Sequence, residues 1–199
     1  MPFNVLPQKL PANVADRIGR AVAILGVTPN MVSVFGFAGN VLAAWLITRQ
    51  ELLWAGVVFL IFSLLDLVDG ALARATGRAT AYGAVLDSIL DRASEAVVLV
   101  GCAWYFGDRG EWYQVAMTYL ALFGSISVSY MRARAEVAGM TMREGLFRRQ
   151  ERVAVLSLGL LFNGLTVVMA ILAILANITA LQRFAILCRG LRRMDAADR

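Results

Sequence analysis

The chain has 199 residues, of which 59% are hydrophobic, 17% are charged and none is histidine, with a formal net charge of +5. A soluble domain carries about 25% charged residues, whereas here Met31–Thr48 and Val153–Gln182 hold no charge at all. Composition therefore excludes an ordinary soluble enzyme and points to an integral membrane protein. The missing histidine argues against a triad hydrolase, a His-ligated zinc site and a haem protein, so acid–base or metal chemistry must rest on carboxylates.

In chain order, residues 1–27 carry Lys9, Asp16, Arg17 and Arg20 among scattered apolar residues. They lack the apolar core and small-residue cleavage site of a secretory signal and read as an amphipathic juxtamembrane helix on the membrane surface. A spanning helix needs about 20 residues. The first is expected from Thr28 as N-cap, with Pro29 at the first helical position, to about Arg49. The second starts near Glu51–Leu52 and runs through Phe62 into Asp66. The third runs from about Thr80 to Phe106, and Gly107–Asp108–Arg109–Gly110 forms a turn. The fourth covers Trp112 to Val137 and ends at Gly139. The uncharged stretch from Val153 is too long for one span, and the turn dipeptide Asn163–Gly164 divides it into helices over about 147–162 and 165–187. The expected fold is all-α: one polytopic membrane domain, with six transmembrane helices over 28–187, the surface helix before them and a cytoplasmic tail over 188–199.

Charge asymmetry orients this topology. With the N-terminus inside, 16 of the 19 basic residues fall on the inner side, only Arg49 and Arg109 lie outside, and Arg92 sits within the third helix. The positive-inside rule then puts both termini, and the charged site below, on the cytoplasmic face of the cell membrane. Cys102 and Cys188 read as small hydrophobes rather than a disulfide.

The informative segment is Asp66-x2-Asp69-Gly70-x2-Ala73-Arg74-x8-Gly83-x3-Asp87-x3-Asp91. Positions 66, 69, 70, 73 and 74 share one stripe of the second helix, and 83, 87 and 91 share one stripe of the third. A short connection makes these helices antiparallel neighbours, so four carboxylates converge near the cytoplasmic end. Each aspartate at mid-membrane costs on the order of 2.5–3.5 kcal/mol, and four like charges cannot all stay ionised without cations. Two hard divalent ions, Mg²⁺ or Mn²⁺, resolve this, and a two-metal site suits phosphoryl chemistry. Gly70, Ala73 and Gly83 leave the helix surfaces open to a ligand, and Arg74 offers a phosphate-binding fork. The turn Asn30-Met31-Val32-Ser33 presents backbone N–H groups at a cytoplasmic helix N-terminus, which favours anions. Ion coordination in a cation transporter is the competing reading. Its carboxylates would be expected near mid-membrane on broken helices, not beside arginines at one end.

This motif resembles the complete signature of the CDP-alcohol phosphotransferase family, with all eight fixed residues at their spacings. The resemblance implies transfer of a phosphatidyl-type group from a CDP-linked lipid, with a diacylglycerol or an ether-lipid backbone, to an alcohol with release of CMP. It implies that Asp66, Asp69 and Asp87 hold two metal ions, and that Asp91 contributes to the second and acts as general base. It also implies that Gly70, Arg74 and Thr80 contact the CDP moiety, alongside Ala73 and Gly83, and that the protein is a homodimer. The family has a similar Thr-Pro-Asn start to its first helix; Ala81 departs from relatives that carry a basic residue there.

The acceptor is weighed from the arginines. Arg132 and Arg134 close the fourth helix, Arg149 and Arg152 open the fifth, and Arg183 closes the sixth, all on the same face. Several guanidinium groups there suit an acceptor that already carries phosphate. The segments Ser129–Gly139 and Arg149–Arg152 resemble those of phosphatidylinositol-phosphate synthases, which implies D-myo-inositol 3-phosphate held by Ser129, Arg132, Arg149, Arg152 and Arg183. Two departures stand out: Arg132 where lysine is more usual, and Gln150 where proline is. Glycerol 3-phosphate, equally anionic, is the alternative acceptor; no nucleic-acid partner is expected.

Overall fold

A chain this apolar must satisfy its backbone polar groups internally, and helices do so within one segment. The computed structural model describes the backbone of residues 28–75, 80–142 and 144–197, and the side chains of these residues other than 66–75 and 197. Six helices account for nearly all of it: α1 (Pro29–Thr48), α2 (Leu52–Ala75), α3 (Ala81–Asp108), α4 (Trp112–Val137), α5 (Arg149–Leu161) and α6 (Leu165–Ala197). No strand occurs among the described residues. The expected surface helix over 1–27 lies outside them.

Local chemistry sets the boundaries. Thr28 caps α1, its hydroxyl accepting from the Met31 amide at 3.3 Å, and Pro29 follows at the first position. Thr80 caps α3, its hydroxyl accepting from the Gly83 amide at 3.0 Å. The turns need left-handed backbone at Gly110 (φ +71°), Gly139 (φ +74°) and Asn163 (φ +53°), residues for which that region is cheapest. At the start of α5 the Glu151 carboxylate accepts from the Arg148 amide at 3.0 Å and from its Nη2 at 2.9 Å.

Two elements differ from expectation. The sixth helix does not stop near 187 but continues to Ala197. At the start of this extension Leu187 clusters with Ala135 and Met142 and Gly190 abuts Met140, while residues 191–196 are exposed. The fifth helix has 13 residues, about 20 Å at 1.5 Å per residue, shorter than the ~30 Å hydrocarbon core. Among the described residues, α1 and Leu165–Ala196 are long and apolar enough to cross a membrane by length and composition alone, and Leu52–Leu65 is a shorter apolar stretch.

The helices pack as a closed ring in the order α1, α2, α5, α6, α4, α3 and back to α1. The core in its middle draws on all six, among them Ile47, Phe59, Val98, Ala121, Leu160 and Met169. Small residues permit the closest approaches. A Cβ on Gly101 of α3 would lie 2.9 Å from the Ala44 carbonyl of α1, and one on Gly124 of α4 would lie 2.9 Å from the Asn177 amide of α6. Backbones this near one another are the usual device of helix pairs in membranes, where lipid is as apolar as leucine and tight contact replaces hydrophobic driving force.

Candidate active site

The alternating directions of the helices bring the end of α2, the start of α3, the end of α4, the start of α5 and the late part of α6 to one end of the ring, together with the start of α1. The opposite end carries the turns. There Gln50 Nε2 donates to Asp108 at 3.4 Å, and the bond from Arg109 Nε to Glu111, 2.9 Å, holds that guanidinium above its usual pKa.

Asp66 and Asp69 fall one turn apart in the second half of α2, with Gly70, Ala73 and Arg74 following on the same helix. Asp87 and Asp91 fall one turn apart in the first half of α3. Asp87 and Asp91 are half-buried. Among the described residues the two helices are not the adjacent neighbours expected from their short connection: in the ring each packs on α1, which stands between them. The donor set the motif supplies is all carboxylate oxygen, which fits a hard divalent ion. Among the described side chains no three metal-ligating groups cluster, because the α3 pair is only half of that set.

The start of α1 does meet the motif. A Cβ on Gly83 would lie 2.9 Å from Asn30 Oδ1 and 3.1 Å from Thr80 Oγ1. Glycine at 83 is thus what lets the Asn30 amide, the Thr80 hydroxyl and the first turn of α3 share one space. The backbone donors of α1 behave differently from expectation. The amides of Met31 and Val32 are taken by the Thr28 carbonyl at 3.1 and 3.2 Å, and Val32 and Ser33 are buried. What α1 presents toward the motif is the Asn30 side chain.

The arginines separate into three kinds. Arg132 and Arg134 are exposed on α4, Arg132 pairing with Glu136 one turn on at 2.9 Å, and Ser129 is half-buried beside them. Arg149 reaches from α5 to Asp91 on α3, Nη1 to Oδ1 at 2.8 Å. Arg152 and Arg183 are buried. Arg152 gives Nε and Nη2 to the two oxygens of Glu95 at 2.6 and 2.9 Å. Arg183 donates to the carbonyls of Glu144 at 3.0 Å and Val128 at 2.8 Å. It braces the connection between α4 and α5 to both α4 and α6. The same connection is fastened by the Phe147 amide to Thr179 Oγ1, 3.1 Å, and the Leu146 amide to Gln182 Oε1, 3.2 Å.

Sequence reasoning missed Glu95. Its signal was present, because Gly83, Asp87, Asp91 and Glu95 recur every fourth residue and so share a face of α3. It also missed Thr179 and Gln182, for which no sequence signal exists, since the loop they hold is more than thirty residues away.

Comparison with known proteins shows the family and the fold. A family model described as CDP-alcohol phosphatidyltransferase matches residues 26–188. The archaetidylinositol phosphate synthase of Pyrococcus horikoshii is 41% identical over 169 residues, covering 84% of this chain and 87% of that protein. The phosphatidylinositol phosphate synthase of Mycobacteroides abscessus is 34% identical over 190 residues, covering 90% and 86%. Among solved structures, the Mycobacterium tuberculosis phosphatidylinositol phosphate synthase with CDP-DAG bound superposes with a TM-score of 0.81 at 31% identity, covering 88% of this chain and 94% of that one. The same enzyme in complex with manganese and citrate gives a TM-score of 0.78 at 32% identity, covering 87% and 88%. Signature, helical ring and relatives agree: the chain belongs to the CDP-alcohol phosphatidyltransferase family and is a transferase of that type.

Proposed function

We propose that this chain moves a phosphatidyl group from a CDP-linked lipid to D-myo-inositol 3-phosphate, giving phosphatidylinositol phosphate and CMP. The observation that carries the reading is the Arg149–Asp91 contact at 2.8 Å. It joins the last carboxylate of the motif to the arginine-bearing start of α5, so that a phosphorylated acceptor lies against the reacting end of the CDP-lipid. The names of the curated relatives and the CDP-DAG bound in the solved neighbour support the same substrates.

In this reaction the acceptor hydroxyl oxygen attacks the phosphorus that bears the lipid. The P–O bond to CMP breaks, and CMP leaves with the electron pair. Asp91 takes the hydroxyl proton as general base. Asp66, Asp69, Asp87 and Asp91 are the residues that would hold two Mg²⁺ or Mn²⁺ ions, which when bound neutralise charge on the pyrophosphate; the manganese in the solved neighbour fits this donor set. Gly70, Ala73, Arg74, Thr80 and Gly83, with the Asn30 side chain, receive the CDP moiety. Ser129, Arg132, Arg134 and Arg149 line the acceptor side, and Arg152 and Arg183 underlie it. Arginine in this role offers a planar fork matched to phosphate.

The surrounding reading is a single family domain in the cell membrane. All six helices cross it, α5 as the short member, with residues 1–27 on the surface, both termini and the site on the cytoplasmic side, and the chain paired as a homodimer. The deciding assay supplies purified protein with Mg²⁺ or Mn²⁺ and CDP-diacylglycerol, then offers inositol 3-phosphate, glycerol 3-phosphate, inositol and serine in parallel. CMP release with inositol 3-phosphate is expected. Product from glycerol 3-phosphate alone overturns the acceptor assignment, and no release with any acceptor overturns the reaction.

A further inference from the structure

In the ring of helices α3 and α5 stand opposite each other, and α5 packs its backbone against α2 and α6. Two ion pairs link α3 to α5. Nearer the site end is Arg149–Asp91, with side chains 31% and 25% exposed. One turn deeper is Arg152–Glu95, with side chains 3% and 12% exposed. Ser125 of α4 is buried beside the same glutamate, and Arg152 Nη1 donates to the Phe147 carbonyl at 3.3 Å. A small cavity adjoins this pair, walled also by Phe59, Leu99, Ala121, Leu156 and Leu172. Within one helical turn the interior changes from half-exposed charge to apolar wall, so the Glu95–Arg152 pair is the floor of the polar end.

A guanidinium forked onto a carboxylate is fixed in orientation as well as distance. Residues 149 and 152 are neighbours on the surface of α5, as 91 and 95 are on α3. Setting the lower rung therefore sets the height of the upper one, where Arg149 faces Asp91. Arg152 has no comparable anion to turn to in the apolar wall, and a buried charge stripped of its partner must move or be hydrated.

We propose that Glu95 is a positioning residue of the acceptor site: by holding Arg152 in the floor, it fixes α5 against α3 so that the arginines at the start of α5 meet the acceptor phosphate. This rests on the transferase reading above but not on which polyol accepts. CDP-lipid recognition, carried by α1, α2 and the start of α3, lies outside its reach.

The test is Glu95→Gln in the full chain, with KM measured separately for CDP-diacylglycerol and for the acceptor that the wild type turns over, alongside the melting temperature. The acceptor KM is expected to rise about tenfold, equivalent to about 1.4 kcal/mol, with the CDP-lipid KM unchanged. A variant whose two KM values rise together, or neither, overturns the proposal, because a merely structural role would not separate the substrates. If Glu95→Gln does not purify folded, Glu95→Asp decides. It keeps the charge but shortens the reach, so a selective rise in acceptor KM supports the role and unchanged or equally changed values overturn it. A wild type that releases no CMP with any acceptor overturns the transferase reading and this proposal with it. A working wild type with an unselective variant overturns Glu95 alone.

Discussion

At the scale of single residues, the proposed reaction asks different work of four aspartates whose chemistry is the same. Asp91 has Arg149 of α5 at 2.8 Å, and in the proposed reaction it is the general base. Asp91→Asn keeps the shape and removes the basicity. Transfer is expected to fall by at least about 10²-fold, the lower range for loss of a general base, while CDP-lipid binding, measured by filtration or calorimetry, is largely kept. Substantial turnover in that variant would remove the base from Asp91. The motif carboxylates were legible in the sequence, since charge inside an apolar chain is costly and four at helical spacing are not accidental. Glu95 and Arg152 were not legible as a pair, because 57 residues separate them and only packing brings them within 2.6 Å.

At the scale of elements, helix limits followed from local chemistry and were read closely. Thr28–Pro29, Thr80, Gly110, Gly139 and Asn163 each act through their own backbone or that of near neighbours. The continuation of α6 past 187 escaped because the contacts at its start are tertiary: from the α4–α5 connection Met142 meets Leu187 and Met140 meets Gly190. Close helix contact is likewise a tertiary property. At Gly101, where a side chain would meet the Ala44 carbonyl at 2.9 Å, Gly101→Val must push α1 from α3. Overpacking of this kind costs about 1–3 kcal/mol, so a melting temperature several degrees lower in detergent is expected. Because α1 carries Asn30 to Gly83, CDP-lipid affinity should fall as well. An unchanged melting curve would show that the α1–α3 contact is looser than described.

At the scale of the whole molecule, the ring gathers every proposed substrate contact at one end and leaves the other to turns. Metal dependence belongs to this scale, since the donors come from two helices whose approach the ring enforces. Dialysis against EDTA is expected to abolish CMP release, and Mg²⁺ or Mn²⁺ to restore it, with the helical circular-dichroism spectrum unchanged throughout. Activity that survives chelation would overturn the metal site, and a collapse of helicity would give the ions a structural role instead.

The all-helical class, most helix limits, the family and the carboxylate motif are legible in the order of residues alone. Each depends on hydrophobic periodicity, capping or fixed spacing, which act over a few residues. Tertiary structure decided what the arginines do. Arg132, Arg134, Arg149, Arg152 and Arg183 look alike in the sequence, yet one pair is exposed on α4, one arginine meets the motif, one forms the floor with Glu95, and one clasps a loop. A guanidinium takes its role from the anion or carbonyl it reaches, and in this ring those partners come from other helices.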